Sequence, residues 1–228
     1  MDSNTCILLF SRTSSSESKH KQLASLKKAN RKIHQALYNR TLRTVHKAGL
    51  PLIKVNEHSQ IGDSFGERFY NAISHAFQCG FDHVITVGGD CPSLQSQDIL
   101  AAEQELRAGR QCLGPSKDGG VYLLGISKTY FHQKFSQLAW QTDLLFCELE
   151  SYFDYYNVVV VNLCLKLDVD TATHFNAISR VLSQQRDFSF LNDIITDVYV
   201  QQAYQLYSPL VILQTLQHRG PPMLKSVA

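Results

Sequence analysis

Four short segments of the 228-residue chain set an acid beside glycine or beside a helix start. They are Gln60-Ile-Gly-Asp-Ser-Phe-Gly-Glu-Arg68, Gly88-Gly-Asp-Cys-Pro-Ser-Leu94, Gly114-Pro-Ser-Lys-Asp-Gly-Gly-Val-Tyr-Leu-Leu-Gly125 and Leu167-Asp-Val-Asp-Thr171. In an α/β protein, ligands sit beyond the carboxyl ends of the strands, and a parallel sheet gathers those ends on one face. Asp90, Asp118, Asp168 and Asp170 are therefore candidates to share one cleft. Carboxylate oxygens suit hard cations, and Mg²⁺ or Mn²⁺ commonly holds a substrate diphosphate through one or two of them.

Each segment also has a plainer reading. Gly88-Gly-Asp and Cys91-Pro-Ser are ordinary loop chemistry. Asp118-Gly-Gly fits a hairpin turn. Asp168 and Asp170 precede a helix start, where one of the two, assigned here to Asp168, caps free backbone N–H groups. Asp63 and Glu67 complement the dipole of the helix that begins at Phe65. Cys91 has no histidine close in sequence and reads as a structural thiol rather than a nucleophile.

The elements that must position these residues are legible as apolar runs alternating with amphipathic segments. Strands are predicted at Cys6–Phe10, Leu50–Val55, His83–Val87, Gln111–Gly114, Val121–Ile126 and Asn157–Leu163. Helices are predicted at Gln22–Lys47, Phe65–Cys79, Gln97–Ala108, Asp143–Tyr155 and Ala172–Gln184. This alternation predicts a three-layer α/β sandwich with a mostly parallel sheet. The short polar turn between Gln111–Gly114 and Val121–Ile126 makes that pair antiparallel and the sheet mixed. Residues 188–216 read as two further helices, so residues 1–187 are assigned to the α/β domain and 188–228 to a helical extension packed on it.

With 44% hydrophobic residues and a net charge of +2, the chain can bury a full core and carries no general pull toward nucleic acid or membrane. Lys19, Lys21, Lys27, Lys28, Arg31, Lys32, Arg40, Arg43 and Lys47 nevertheless crowd one stretch. That crowding reads as a solvated helix face or as a patch that helps hold phosphate. The six cysteines are scattered singly, without zinc-site spacing. With no signal-like segment at the N-terminus, they predict free thiols and a cytoplasmic location.

Taken in order across residues 60–171, the motifs resemble those of the radical-SAM/selenodomain-associated glycosyltransferase-like family. That family belongs to the nucleotide-diphospho-sugar transferase superfamily with the GT-A fold. The matching segments are Gln-x-Gly-x-x-x-Gly-Glu-Arg, Gly-x-Asp-Cys-Pro-x-Leu, Gly-Pro-x-x-Asp-Gly-Gly-x-Tyr-Leu-x-Gly, Trp-x-Thr (Trp140, Thr142) and Asp-Val-Asp-Thr. The resemblance implies a Rossmann-like mixed sheet that binds a nucleotide-sugar or nucleotide and a small-molecule acceptor. Asp90 takes the place of the metal aspartate and Asp170 that of a second carboxylate near an Mg²⁺ or Mn²⁺ ion. Asp118 becomes the candidate catalytic or substrate-orienting acid, with Gly119 and Gly120 facing sugar or acceptor. Gly62, Glu67, Arg68, Gly89, Trp140 and Thr142 join the substrate-binding set.

One departure stands out. Where relatives carry a Pro- and Gly-containing loop followed by Lys-Thr-Arg, this chain has Ser11-Arg-Thr-Ser-Ser-Ser-Glu-Ser-Lys-His-Lys-Gln22, with no glycine. Glycine opens a loop so that backbone N–H groups reach phosphate. Without it, Arg12, Lys19 and Lys21 are expected to contact phosphate loosely, through side chains. The leading reading is metal-assisted glycosyl transfer. Nucleotidyl transfer to a phosphorylated small molecule and a degenerate, non-catalytic GT-A domain are the alternatives.

Overall fold

A computed structural model describes residues 4–183. The helical extension predicted over 188–228 lies outside the described residues. The chain clusters into two units, 1–178 and 179–228, and the candidate site lies wholly in the first.

Six strands form one mixed sheet in the order β2-β1-β3-β5-β4-β6. They are β1 Thr5–Phe10, β2 Leu52–Val55, β3 His83–Val87, β4 Gln111–Pro115, β5 Val121–Ser127 and β6 Val160–Asn162. β1 pairs in parallel with β2 and β3, and β4 with β6. β5 runs antiparallel between β3 and β4, as the short 115–121 connection demands.

The central strands are buried on both faces, which is why their sequences are nearly continuous apolar runs. Cys6, Leu8 and Phe10 of β1 pack with Val84, Leu124 and Ile126 against α3 (Phe65–Gln78) and α5 (Leu145–Tyr155). The alternating residues Ile7 and Leu9 join Ile85, Val87 and Leu123 against α2 (Lys27–Ala48) and α4 (Ser96–Arg107). The predicted three-layer α/β sandwich is thus the observed one.

The N-terminal region differs from its predicted form. A single helix from Gln22 is expected, but α2 begins at Lys27, and the preceding glycine-free segment contains its own short helix, α1 (Ser14–His20). Local chemistry accounts for it. The Thr13 hydroxyl accepts from Ser16 N and donates to Glu57, which also accepts from Thr13 N at 2.7 Å. These bonds hold the Glu57 carboxyl down at about 2, outweighing the opposing effect of burial.

Buried Asn30 of α2 then staples the segment after α1. It accepts from Leu23 N and Ala24 N and donates to the carbonyls of Ser18 and Lys21, at 2.7 to 3.3 Å. Asn30→Ala should therefore lower stability by about 2 kcal/mol, since several buried backbone groups lose their partner together. Urea denaturation beside wild type measures it. An unchanged midpoint would show that the staple contributes nothing.

Candidate functional site

The carboxyl ends of β1 and β3 meet where the strand order reverses, from β2 on one side of β1 to β3 on the other. Such a switch point opens a crevice. After β6 the chain runs on beside β4: Leu163 N donates to Leu113 O at 2.7 Å, Lys117 N to Lys166 O at 2.9 Å and Lys166 N to Pro115 O at 3.1 Å. This path delivers Asp168 and Asp170 to the end of β3, where Val169 N donates to Asp90 O at 2.9 Å. Two acids distant in sequence from Asp90 are thereby brought beside it.

Lys21 lies at the centre of this group. Its Nζ is 2.6 Å from Asp90 Oδ2, 2.6 Å from Asp170 Oδ1 and 3.1 Å from Glu17 Oε1. Burial alone would lower the lysine's pKa, but the Asp90 and Asp170 carboxylates overcome it and hold the ammonium charged far above its usual range. Burial raises Asp90 while Lys21 lowers it, and with Glu17 and Asp170 nearby the balance is upward. We assign the Lys21–Asp90 pair as ionised at neutral pH, because an ammonium and a carboxylate 2.6 Å apart favour each other's charged form. Behind it, the Lys21 carbonyl accepts from Asn30 Nδ2 and from His34 Nε2, each at 3.0 Å. Burial lowers the pKa of His34.

Asp168 is not the helix cap assigned to it from sequence. Thr171 is: its Oγ1 accepts from His174 N at 3.2 Å and its carbonyl from Phe175 N at 3.0 Å. Asp168 instead faces the crevice, with Oδ1 buried and without a hydrogen-bond partner among the described residues. Burial, then the charges of Asp90, Asp118 and Asp170, push its carboxyl up to about 7.

Between about pH 4 and pH 7 the folded protein holds a proton on Asp168 that the unfolded chain has released, so stability falls as pH rises through that window. Three pKa units would correspond to about 4 kcal/mol, and residual solvent screening reduces the expectation to about 2 kcal/mol. Asp168→Asn should accordingly be more stable than wild type by about that amount at pH 8 and indistinguishable near pH 4. Melting temperatures across pH measure this; parallel curves for the two proteins would refute it.

Two cavities share a wall of Phe10, Phe65, Gly88, Val121, Tyr122 and Asp168. The smaller, about 200 Å³, adds Ser11, Arg12, Glu17, His34, Gly89 and Asp90. The larger, about 450 Å³, adds Lys21, Asp118, Gly120, Trp140, Thr142 and Asp170. Of the predicted site residues, then, Arg12, Lys21, Gly89, Asp90, Asp118, Gly120, Trp140, Thr142 and Asp170 converge. Lys19 is exposed at the end of α1 and lines neither cavity.

Gly62, Glu67 and Arg68 also lie outside both cavities, and the structure gives them local work. Ser64 and Glu67 form a capping box for α3. Arg68 donates to the Gly62 and Asp63 carbonyls at 3.5 and 3.0 Å. Gly66 permits close packing, because a Cβ there would lie 2.0 Å from Ser136 O and 2.7 Å from Trp140 Cδ1. This motif reaches the site through Phe65 and through the seat it makes for Trp140.

Asp118 serves two purposes. Its Oδ1 accepts from Ser116 Oγ and, at 3.1 Å, from Gly120 N, so one oxygen shapes the turn while the residue lines the larger cavity. The Cys91 thiol is pushed up to about 12 by burial and by neighbouring Asp168, which suits packing and not nucleophilic attack at neutral pH. Residues not singled out from sequence are Glu17, Asn30, His34, Tyr122 and Lys166. Lys166 Nζ bonds Ser93 O at 3.0 Å and sits over the Tyr122 ring, 5.3 Å from its centre.

A divalent cation fits the donor set at Asp90 and Asp170. Both carboxylates reach one point, marked by the Lys21 ammonium, and the orphaned Asp168 oxygen lies in the same crevice. Among the described residues no group of three or more His, Cys, Asp or Glu side chains is arranged to hold a metal ion. A cation held there would need ligand oxygens to complete its coordination, as is usual for Mg²⁺ with phosphates.

Among the described residues no helix is long and apolar enough to cross a membrane. Comparison with known proteins then gives three findings. A family profile described as an uncharacterized protein conserved in bacteria, DUF2064, matches residues 24–142. No curated protein sequence matches the chain. Among solved structures, a candidate nucleotide-diphospho-sugar transferase from Desulfovibrio desulfuricans G20 superposes with a TM-score of 0.74 at 21% identity, covering 88% of this chain and 98% of that one. The 4-diphosphocytidyl-2C-methyl-D-erythritol synthase from Anaerococcus prevotii DSM 20548 superposes with a TM-score of 0.50 at 10% identity, covering 85% and 96%. At these identities the likeness is one of fold alone.

Proposed function

The chain belongs to the DUF2064 family of uncharacterized proteins conserved in bacteria, and from that premise we propose that it is a glycosyltransferase-like enzyme. In this reading it takes a nucleotide-sugar at the strand ends and passes the sugar to a small acceptor. The observation that carries the proposal is the convergence of Asp90 and Asp170 on one cation position beside two cavities that share a wall.

The parts follow from chemistry. Arg12 meets phosphate with its guanidinium, which suits planar oxyanion groups. Gly88 and Gly89 keep the floor free of side chains where ligand approaches the backbone. Asp90 and Asp170 hold the cation; Mg²⁺ or Mn²⁺, when bound, supplies neutralisation of charge on the departing diphosphate. Asp118, fixed by its own turn, orients the sugar or acceptor in the larger cavity, which Trp140 and Thr142 also line.

The test is a calorimetric screen of nucleoside diphosphates, nucleotide-sugars and CTP with and without Mn²⁺, followed by product analysis of whatever binds. Release of a nucleoside diphosphate from a nucleotide-sugar is the expected result. Pyrophosphate released from CTP would reassign the chain to nucleotidyl transfer. Metal-dependent binding with neither product would make it a binding domain, and no binding at all would overturn the proposal.

A further inference from the structure

We infer that Lys21 is an internal counter-ion that competes with the divalent cation: its ammonium holds the position between Asp90 and Asp170 until a metal displaces it. The inference rests on the reading of Asp90 and Asp170 as cation ligands. Lys21 was expected to touch phosphate loosely. Instead it is locked on three acids, and only 24% of its side chain is exposed.

The geometry makes the two cations mutually exclusive. An ammonium 2.6 Å from both carboxylates stands where a metal with oxygen ligands at about 2.1 Å would have to sit. Two positive ions cannot share that point. Nor is the lysine there by chance of a floppy side chain, because its backbone is anchored by Asn30 and His34, both buried on α2. Glu17, which meets the same ammonium one helical turn away, offers Lys21 a place to remain when metal takes the two aspartates.

With Lys21 in place, Glu17, Asp90 and Asp170 are partly neutralised and the site stays folded without metal. Metal therefore binds weakly unless a ligand supplies further oxygens. Lys21 thus sets the threshold for metal entry and ties it to the arrival of phosphate.

The test uses Mn²⁺ alone, without nucleotide, on the full chain. Lys21→Gln removes the competitor and leaves the acids, so Mn²⁺ should bind it about tenfold or more tightly than wild type. The double variant Lys21→Gln/Asp90→Asn should lose that gain. Mn²⁺ should also raise the melting temperature of Lys21→Gln more than that of wild type, because it restores the missing charge. Equal Mn²⁺ affinity in wild type and Lys21→Gln would overturn the competition while leaving nucleotide binding by wild type to stand or fall separately. Should Lys21→Gln not fold even with Mn²⁺, wild type decides the matter. Acetylation of Lys21 by an amine reagent, followed by mass spectrometry, should speed up severalfold in saturating Mn²⁺, and an unchanged or slower rate would refute the inference.

Discussion

Asp90→Asn should weaken Mn²⁺-dependent nucleotide binding about a hundredfold, or ~2.7 kcal/mol, while leaving the fold intact. Asparagine keeps the size and a hydrogen-bonding oxygen but removes the charge that a cation needs. The backbone contact that joins β3's end to the 168–170 segment runs from Val169 N to the Asp90 carbonyl, so the side-chain change does not touch it. Lys21 would keep Asp170 and Glu17 as partners. Asp170→Asn should behave alike, because both acids sit 2.6 Å from the same cation position. Calorimetric titration in Mn²⁺, with melting temperatures alongside, separates the outcomes. If Asp90 were only a turn residue, binding would survive and stability alone would shift.

How much of this was legible in the sequence depends on the range of the interaction. His83–Val87 is a strand with the bounds that its run of β-branched residues indicates, because burial on both faces leaves a local pattern. The antiparallel placement of β5 follows from the short connection that precedes it. The capping box of Ser64 and Glu67 has a local signature as well, and that signature, more than any ligand role, describes what Glu67 does in the fold.

Lys21 is the opposite case. Glu17 is one helical turn away, but Asp90 lies 69 residues on and Asp170 further still, and nothing in residues 11–22 announces those two. The missing glycines agree with a segment that folds as helix in part, Ser14–His20. They do not indicate that Thr13, Glu57 and Asn30 would turn it into a helix and a stapled strap. Asp168 differs from its expected capping role for a related reason: three polar residues precede α6 (Ala172–Ser183), any of which suits a cap, and only the path of the chain past β4 shows that Thr171 takes that role. Asp118 stands between the two cases, since its turn is local and its cavity is not.

Gly119→Ala should cost on the order of 3–5 kcal/mol, the range of the most damaging single substitutions. Two effects add. Gly119 has φ +85°, a left-handed conformation that costs an L-residue roughly 1 kcal/mol or more. A Cβ there would also lie 2.1 Å from the Asp143 carbonyl oxygen and 2.7 Å from that residue's Cα, so backbone must retreat from backbone. The retreat strains the 2.9 Å bond by which Phe146 N, in the first turn of α5, donates to Gly119 O. Gly49→Ala is the control: φ is +74°, but nothing lies within 4 Å of the added methyl, so only the conformational cost applies. Trp140 is the single tryptophan of the chain and lines the larger cavity beside Gln141, Thr142 and Asp143. Its fluorescence should shift to the red in Gly119→Ala and stay put in Gly49→Ala, with urea midpoints following the same order. Equal losses in the two variants would mean that the 116–120 turn does not bear on the 142–146 segment, and that the wall of the larger cavity is held by other contacts.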